Sequence, residues 1–149
     1  MKGWLLRGGL LILAVSALIV GLWASLSPRS FYEDFPLPGR AWVSTLGPYN
    51  EHLVRDVGEL NLALGVLLAM AAVLLEQRLV QVSLVAYLVY AVPHFIYHAS
   101  TGHAFPLGDN IANLVTLGIA VLLPLGLLVL VGRHGERQTP RVETTRKRG

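Results

Sequence analysis

Residues 53–100 read LVRDVGELNLALGVLLAMAAVLLEQRLVQVSLVAYLVYAVPHFIYHAS, two long apolar runs parted only by Glu76, Gln77 and Arg78. A hydrocarbon layer about 30 Å thick is crossed by about 20 apolar helical residues, and each run supplies them. Two crossings joined by so short a turn make a helical hairpin, which sets the fold class as all-α and membrane-embedded. Working outward, residues 8–26 and 110–131 are two further runs of the same kind. The predicted architecture is an integral membrane four-helix bundle spanning residues 1–132, with spans at 8–26, 53–75, 79–100 and 110–131.

Composition agrees with that frame. Hydrophobic residues are 54% of the 149, charged residues only 14%, and the mean hydropathy is +0.57, too apolar and too sparsely charged for an ordinary soluble domain. There is no cysteine, which removes disulfides and thiolate metal sites. Any site is therefore built from nitrogen and oxygen ligands. The sequence shows neither an internal repeat nor a second domain.

Orientation follows from Lys and Arg, which resist translocation far more than Asp and Glu do. Lys2, Arg7, Arg78, Arg133, Arg137, Arg141, Arg146, Lys147 and Arg148 fall on one side, against Arg29, Arg40 and Arg55 on the other. Both termini are expected in the cytoplasm, in the cell membrane of a bacterium, the inner membrane. Lys2 and Arg7 before an apolar run, with WASLS following, also fit a cleaved signal peptide; cleavage leaves the other three spans oriented the same way. The tail RHGERQTPRVETTRKRG, 133–149, is basic and aromatic-free. It reads as a disordered cytoplasmic topology determinant rather than as a nucleic-acid surface.

Polar residues inside spans carry the functional signal, because an ionisable group in hydrocarbon is costly and ordinarily faces a bundle interior or an aqueous cavity. At about 100° per residue, His52, Arg55, Asp56 and Glu59 share one arc of the second span, and Tyr87, Tyr90, His94, Tyr97 and His98 share one arc of the third. The fourth opens on Asp109, Asn110 and Asn113. Topology sets all three groups in the extracytoplasmic half, so the expectation is one outward-facing polar pocket holding four of the five histidines: His52, His94, His98 and His103. Asn50 and Asp109 suit helix N-caps and Gly102 a C-cap. Pro93 is expected to bend the third helix. The connection 27–52, with Phe31, Tyr32, Phe35, Trp42 and Tyr49 among prolines and glycines, reads either as an ordered lid over the pocket or as a plain interfacial anchor.

Three segments, SPRSFY (27–32), GPYNEHLVRDVGELNLAL (47–64) and VPHFIYH (92–98), resemble small four-span bacterial membrane proteins loosely grouped as DoxX-like, over residues 27–124. The resemblance implies a four-helix membrane bundle. It brings no reaction and no catalytic residue.

The residues themselves allow three uses. His52 with Asp56, and His94 with His98, stand one helical turn apart and can ligate a transition metal ion, Cu, Zn or Fe, acting on a lipophilic substrate. Arg55, Glu59, Tyr90, Tyr97, Asn110 and Asn113 would then bind a small ligand beside it. Against the metal stands Arg55, a fixed cation near a dication and able to pair with Glu51 or Glu59. The same residues equally suit a hydrogen-bonded network that joins helices in an accessory subunit, or part of a small transporter. The partner implied is the lipid bilayer, with a second copy or a larger membrane complex as an open alternative; nucleic acid is not implied.

Overall fold

The computed structural model describes residues 3–135, and among these it is helical without a strand. Five helices follow in order: α1 (Gly3–Leu26), α2 (Pro28–Asp34), α3 (Glu51–Leu74), α4 (Gln77–Thr101) and α5 (Leu107–Gly135). Four of them, all but α2, are long and apolar enough to cross a bilayer. The chain is a multi-pass helical bundle, as the apolar runs predict. The basic tail expected from residue 133 lies, beyond the end of α5, outside the described residues.

Helix α3 begins two residues before its apolar stretch, because a capped first turn precedes it. The Asn50 side chain accepts a hydrogen bond from the Leu53 amide at 3.1 Å, and Glu51 sits in the first turn of α3, where a carboxylate meets the positive end of the helix dipole. At the other end Leu75 closes α3 in a left-handed conformation, φ 51°, with its amide on the Ala71 carbonyl. That geometry ordinarily selects glycine; here it lets α4 begin at Gln77, two residues after α3 stops.

The spanning helices form a ring in which α1 packs on α3, α3 on α4, α4 on α5 and α5 on α1, the up-and-down order of an antiparallel bundle. The start of α1 and the end of α5 therefore share one face. The half of the bundle beside them is called the terminal half below, and the opposite one the lid half.

The α1/α3 contact is the closest, and glycine makes it so. A Cβ placed on Gly58 would lie 2.5 Å from Ser25 Oγ and 2.7 Å from the Ser25 backbone nitrogen; one on Gly21 would lie 2.9 Å from the Gly58 carbonyl oxygen. Lipid tails are as apolar as leucine, so helices in a membrane gain little from burying apolar surface and depend on close backbone approach.

The terminal half is a continuous apolar core. Leu10, Leu13 and Ala14 of α1 meet Leu64, Leu68, Ala71 and Ala72 of α3, Val80, Leu84, Tyr87 and Ala91 of α4, and Leu127 and Val131 of α5. Pro93 and Pro124 lie inside helices that continue through them. In the lid half, apolar packing unites only α1, α2 and α3, through Ala24, Phe31 and Val54 with Trp23, Phe35, Val43 and Tyr49 around them.

The connection between α1 and α3 is ordered. Trp23 and Phe31 meet edge to face at 5.8 Å, Phe31 and Phe35 at 4.8 Å, and Phe35 and Trp42 at 6.3 Å. The Tyr32 hydroxyl donates to the Gly47 carbonyl at 2.6 Å, and Trp23 Nε1 donates to Ser30 Oγ at 3.2 Å.

Candidate functional site

Helix α4 presents one face to the bundle, marked by Val80, Ser83, Leu84, Tyr87 and Ala91, all buried. Three and seven residues beyond Ala91, at helical spacing, come His94 and His98 on the same face. Yet both are only half-buried. The inward stripe of α4 thus loses its cover as it enters the lid half, where α4 and α5 no longer share an apolar core with α1 and α3.

Along that stripe the rings form a column. Tyr87 and Tyr90 are 6.3 Å apart; Tyr90 stacks on His94 at 5.2 Å with 18° between planes; His94 meets His98 edge to face at 4.6 Å. His98 in turn touches Tyr97 at 5.7 Å and stacks on Phe105 at 6.3 Å. The column runs from the apolar core to the outer end of α4.

Neighbouring helices meet it at two levels. Asn113 of α5, buried, donates from Nδ2 to His98 Nδ1 at 2.8 Å. An amide nitrogen only donates, so Nδ1 accepts and the ring proton sits on Nε2. Deeper in, the Asn61 side chain of α3, 3% exposed, lies near the Tyr90 hydroxyl and donates to the Val57 carbonyl at 2.8 Å. Asn110 Oδ1 is buried without a hydrogen-bond partner, pressed against Gly102, where a Cβ would stand 2.5 Å from it. Gly102 is right-handed, φ −56°; it is required for the room it leaves Asn110, not for a left-handed cap.

Asp109, expected as an N-cap, instead lies inside the first turn of α5 and forms an ion pair with Arg40 Nη1 at 2.7 Å. The carboxylate is buried and the guanidinium half-exposed. Arg40 belongs to the ordered connection, so this pair ties the lid to the opposite side of the bundle.

The remaining expected ligands lie elsewhere. His52 Nε2 and Asp56 are 3.4 Å apart, but the imidazole is 88% exposed. Arg55 pairs with Glu51 at 2.9 Å and also donates to the Ser25 carbonyl of α1, while Glu59 is exposed. The structure places His52 and Asp56 apart from His94 and His98: among the described residues no group of three or more His, Asp or Glu stands together as a metal-binding set. The reason is rotational. On α3 the packed face is Gly58, Asn61 and Gly65, and at 100° per residue His52, Asp56 and Glu59 fall roughly opposite it.

Two groups thus replace the single pocket. Tyr90, His94, Tyr97 and His98 form one run of rings on α4, with Asn113 of α5 on His98 and Asn110 against Gly102; His52, Arg55, Asp56 and Glu59 stay on α3. The residue that sequence reasoning missed is Asn61, and its signal was present: it is the amide-bearing residue between two glycines, Gly58 and Gly65, on one helical face. Chemically, the α4/α5 group offers imidazole nitrogens, a phenol and amides, a set that both donates and accepts hydrogen bonds, with His94 and His98 adjacent enough to bind one ion from a single helix when other ligands are supplied. No protein-family model, no curated protein and no solved structure matches this chain.

Proposed function

We propose that the lid half of this bundle binds the polar head of a lipophilic small molecule on the Tyr90, His94, His98 and Asn113 face, beneath the Arg40–Asp109 tie. The observation that carries it is the half-burial of His94 and His98 on a stripe that is otherwise fully covered. Polar side chains at membrane depth are costly unless they serve a ligand, a cavity or a partner. In this reading the protein sits in a bacterial inner membrane with both ends cytoplasmic, and the DoxX-like resemblance is one of shared architecture. A transition metal ion, Cu, Zn or Fe, on His94 and His98 is a variant of the same site, with the bound molecule completing the coordination.

A second reading has its own support: Asn113 to His98 joins α5 to α4, as hydrogen bonds in a purely structural network do. Wild-type protein and the His94→Phe and His98→Gln variants, extracted in mild detergent, separate the two. Mass spectrometry of solvent-extracted small molecules, with elemental analysis, is expected to find a molecule or metal in the wild type that falls roughly tenfold in each variant, the loss of about one good hydrogen bond to the ligand. Nothing bound in the wild type, together with lowered melting temperatures in both variants, favours the network.

A further inference from the structure

The exposed surface of α1 carries two shallow hollows that share Leu11. One, of about 240 Å³, is lined by Arg7, Leu11, Ala72 and Val73; the other, of about 330 Å³, by Leu11, Ile12, Val15 and Ser16. Together they follow α1 from Arg7 to Ser16. Nine residues of helix rise about 14 Å, close to half of a hydrocarbon layer about 30 Å thick. The two hollows together extend along the exposed face of α1 over about one leaflet.

Its mouth is charged and held in place. Arg7 Nε donates to the Ala72 carbonyl at 3.1 Å, one of the last-turn carbonyls of α3, which have no partner inside their own helix. That contact anchors the guanidinium at the negative end of the α3 dipole. Five N–H groups belong to an arginine side chain; the one on Nε is used, and the other four remain at the head of an apolar slot. Below it the lining is aliphatic apart from Ser16, whose hydroxyl is turned onto the Ile12 carbonyl at 2.8 Å.

We propose that this groove is a binding site for one anionic phospholipid of the leaflet that borders the N-terminus, its phosphate on Arg7 and one acyl chain along Leu11, Ile12, Val15 and Ser16. Arginine matches a phosphate through paired N–H donors, and the slot matches an acyl chain in length and polarity. A second membrane helix would fill the apolar part equally well but has no reason to bring a phosphate-like charge to Arg7.

Native mass spectrometry of the full chain in mild detergent, titrated with phosphatidylglycerol and, separately, with phosphatidylcholine of the same acyl chains, tests this. The wild type is expected to retain a single phosphatidylglycerol about tenfold more strongly than phosphatidylcholine, a preference equal to about 1.4 kcal/mol. Arg7→Gln is expected to abolish the preference, and Val15→Trp, which fills the slot and leaves the cation, to weaken retention of both lipids. Melting curves confirm that each variant remains folded. Equal, non-saturating binding of both lipids describes ordinary boundary lipid and overturns the proposal, as does an unchanged preference in a folded Arg7→Gln protein.

Discussion

The two halves of the bundle are built on opposite terms. In the terminal half all four spanning helices meet through aliphatic side chains, with Leu10, Leu68, Val80 and Leu84 fully buried. In the lid half the chain divides: α1, α2 and α3 close over an aromatic cluster, while α4 and α5 are joined by the amide–imidazole bond of Asn113 and His98. Between those two sides runs the Arg40–Asp109 ion pair. Shape holds one half together and polarity the other. Shape complementarity tolerates no change of volume, whereas a hydrogen bond inside a membrane protein contributes about 0.6 kcal/mol on average; the lid half is the part free to be altered by a ligand.

The largest effect should come from the glycine contact that underlies both halves. Gly58→Val places carbon against the Ser25 backbone, which cannot move aside as a side chain does. A loss of at least about 3 kcal/mol is expected, seen as failure to recover folded protein in detergent. A Gly58→Val protein that melts like the wild type would show that α1 and α3 are not so closely packed, and would remove the basis of the comparison.

How much of this was legible beforehand depends on what the sequence encodes. The four spans were readable because crossing length is a property of composition alone. The order of the connection was readable in part, since aromatic residues interleaved with proline and glycine marked residues 27–52, but nothing in that pattern paired Arg40 with Asp109. The site was half readable. Helical spacing correctly grouped Tyr90, His94 and His98, yet the same spacing grouped His52 with Asp56 and could not say which way that arc faces. In a soluble protein the polar arc would be the outer one by default; in a bilayer both faces of a helix are apolar over most of its length, so polarity ceases to report direction. Gly58 and Gly65 report it instead, by marking where another backbone approaches.

An intermediate effect sharpens the contrast. Leu84→Ala in the terminal half leaves a cavity among fixed neighbours and should cost about 2 kcal/mol or more. His98→Ala in the lid half should cost about 0.6 kcal/mol and no more than about 1.7. Unfolding in denaturing detergent measures both. Equal costs would mean that the histidine column is a structural element on a par with the core.

The smallest effect on stability should belong to the tie. Arg40→Gln is expected to change stability by roughly 0–1 kcal/mol, the range for partly exposed ion pairs. Hydrogen–deuterium exchange across residues 36–50 should nonetheless rise, and more than it does on α2, whose aromatic anchors are untouched. Unchanged exchange would show that the aromatic cluster alone holds the lid.

The ordered connection between α1 and α3 also bears on how the chain assembles as it is made. These two helices form the tightest pair in the bundle although residues 27–50 separate them. Left as a free coil, a link of that length would let α1 diffuse from its partner before α3 entered the membrane. Folded back on Trp23 through α2, it becomes a short tether that keeps the partners at high effective concentration. The ordered connection is thus a guide for docking α3 on α1, ahead of the α4–α5 hairpin that follows them in the chain.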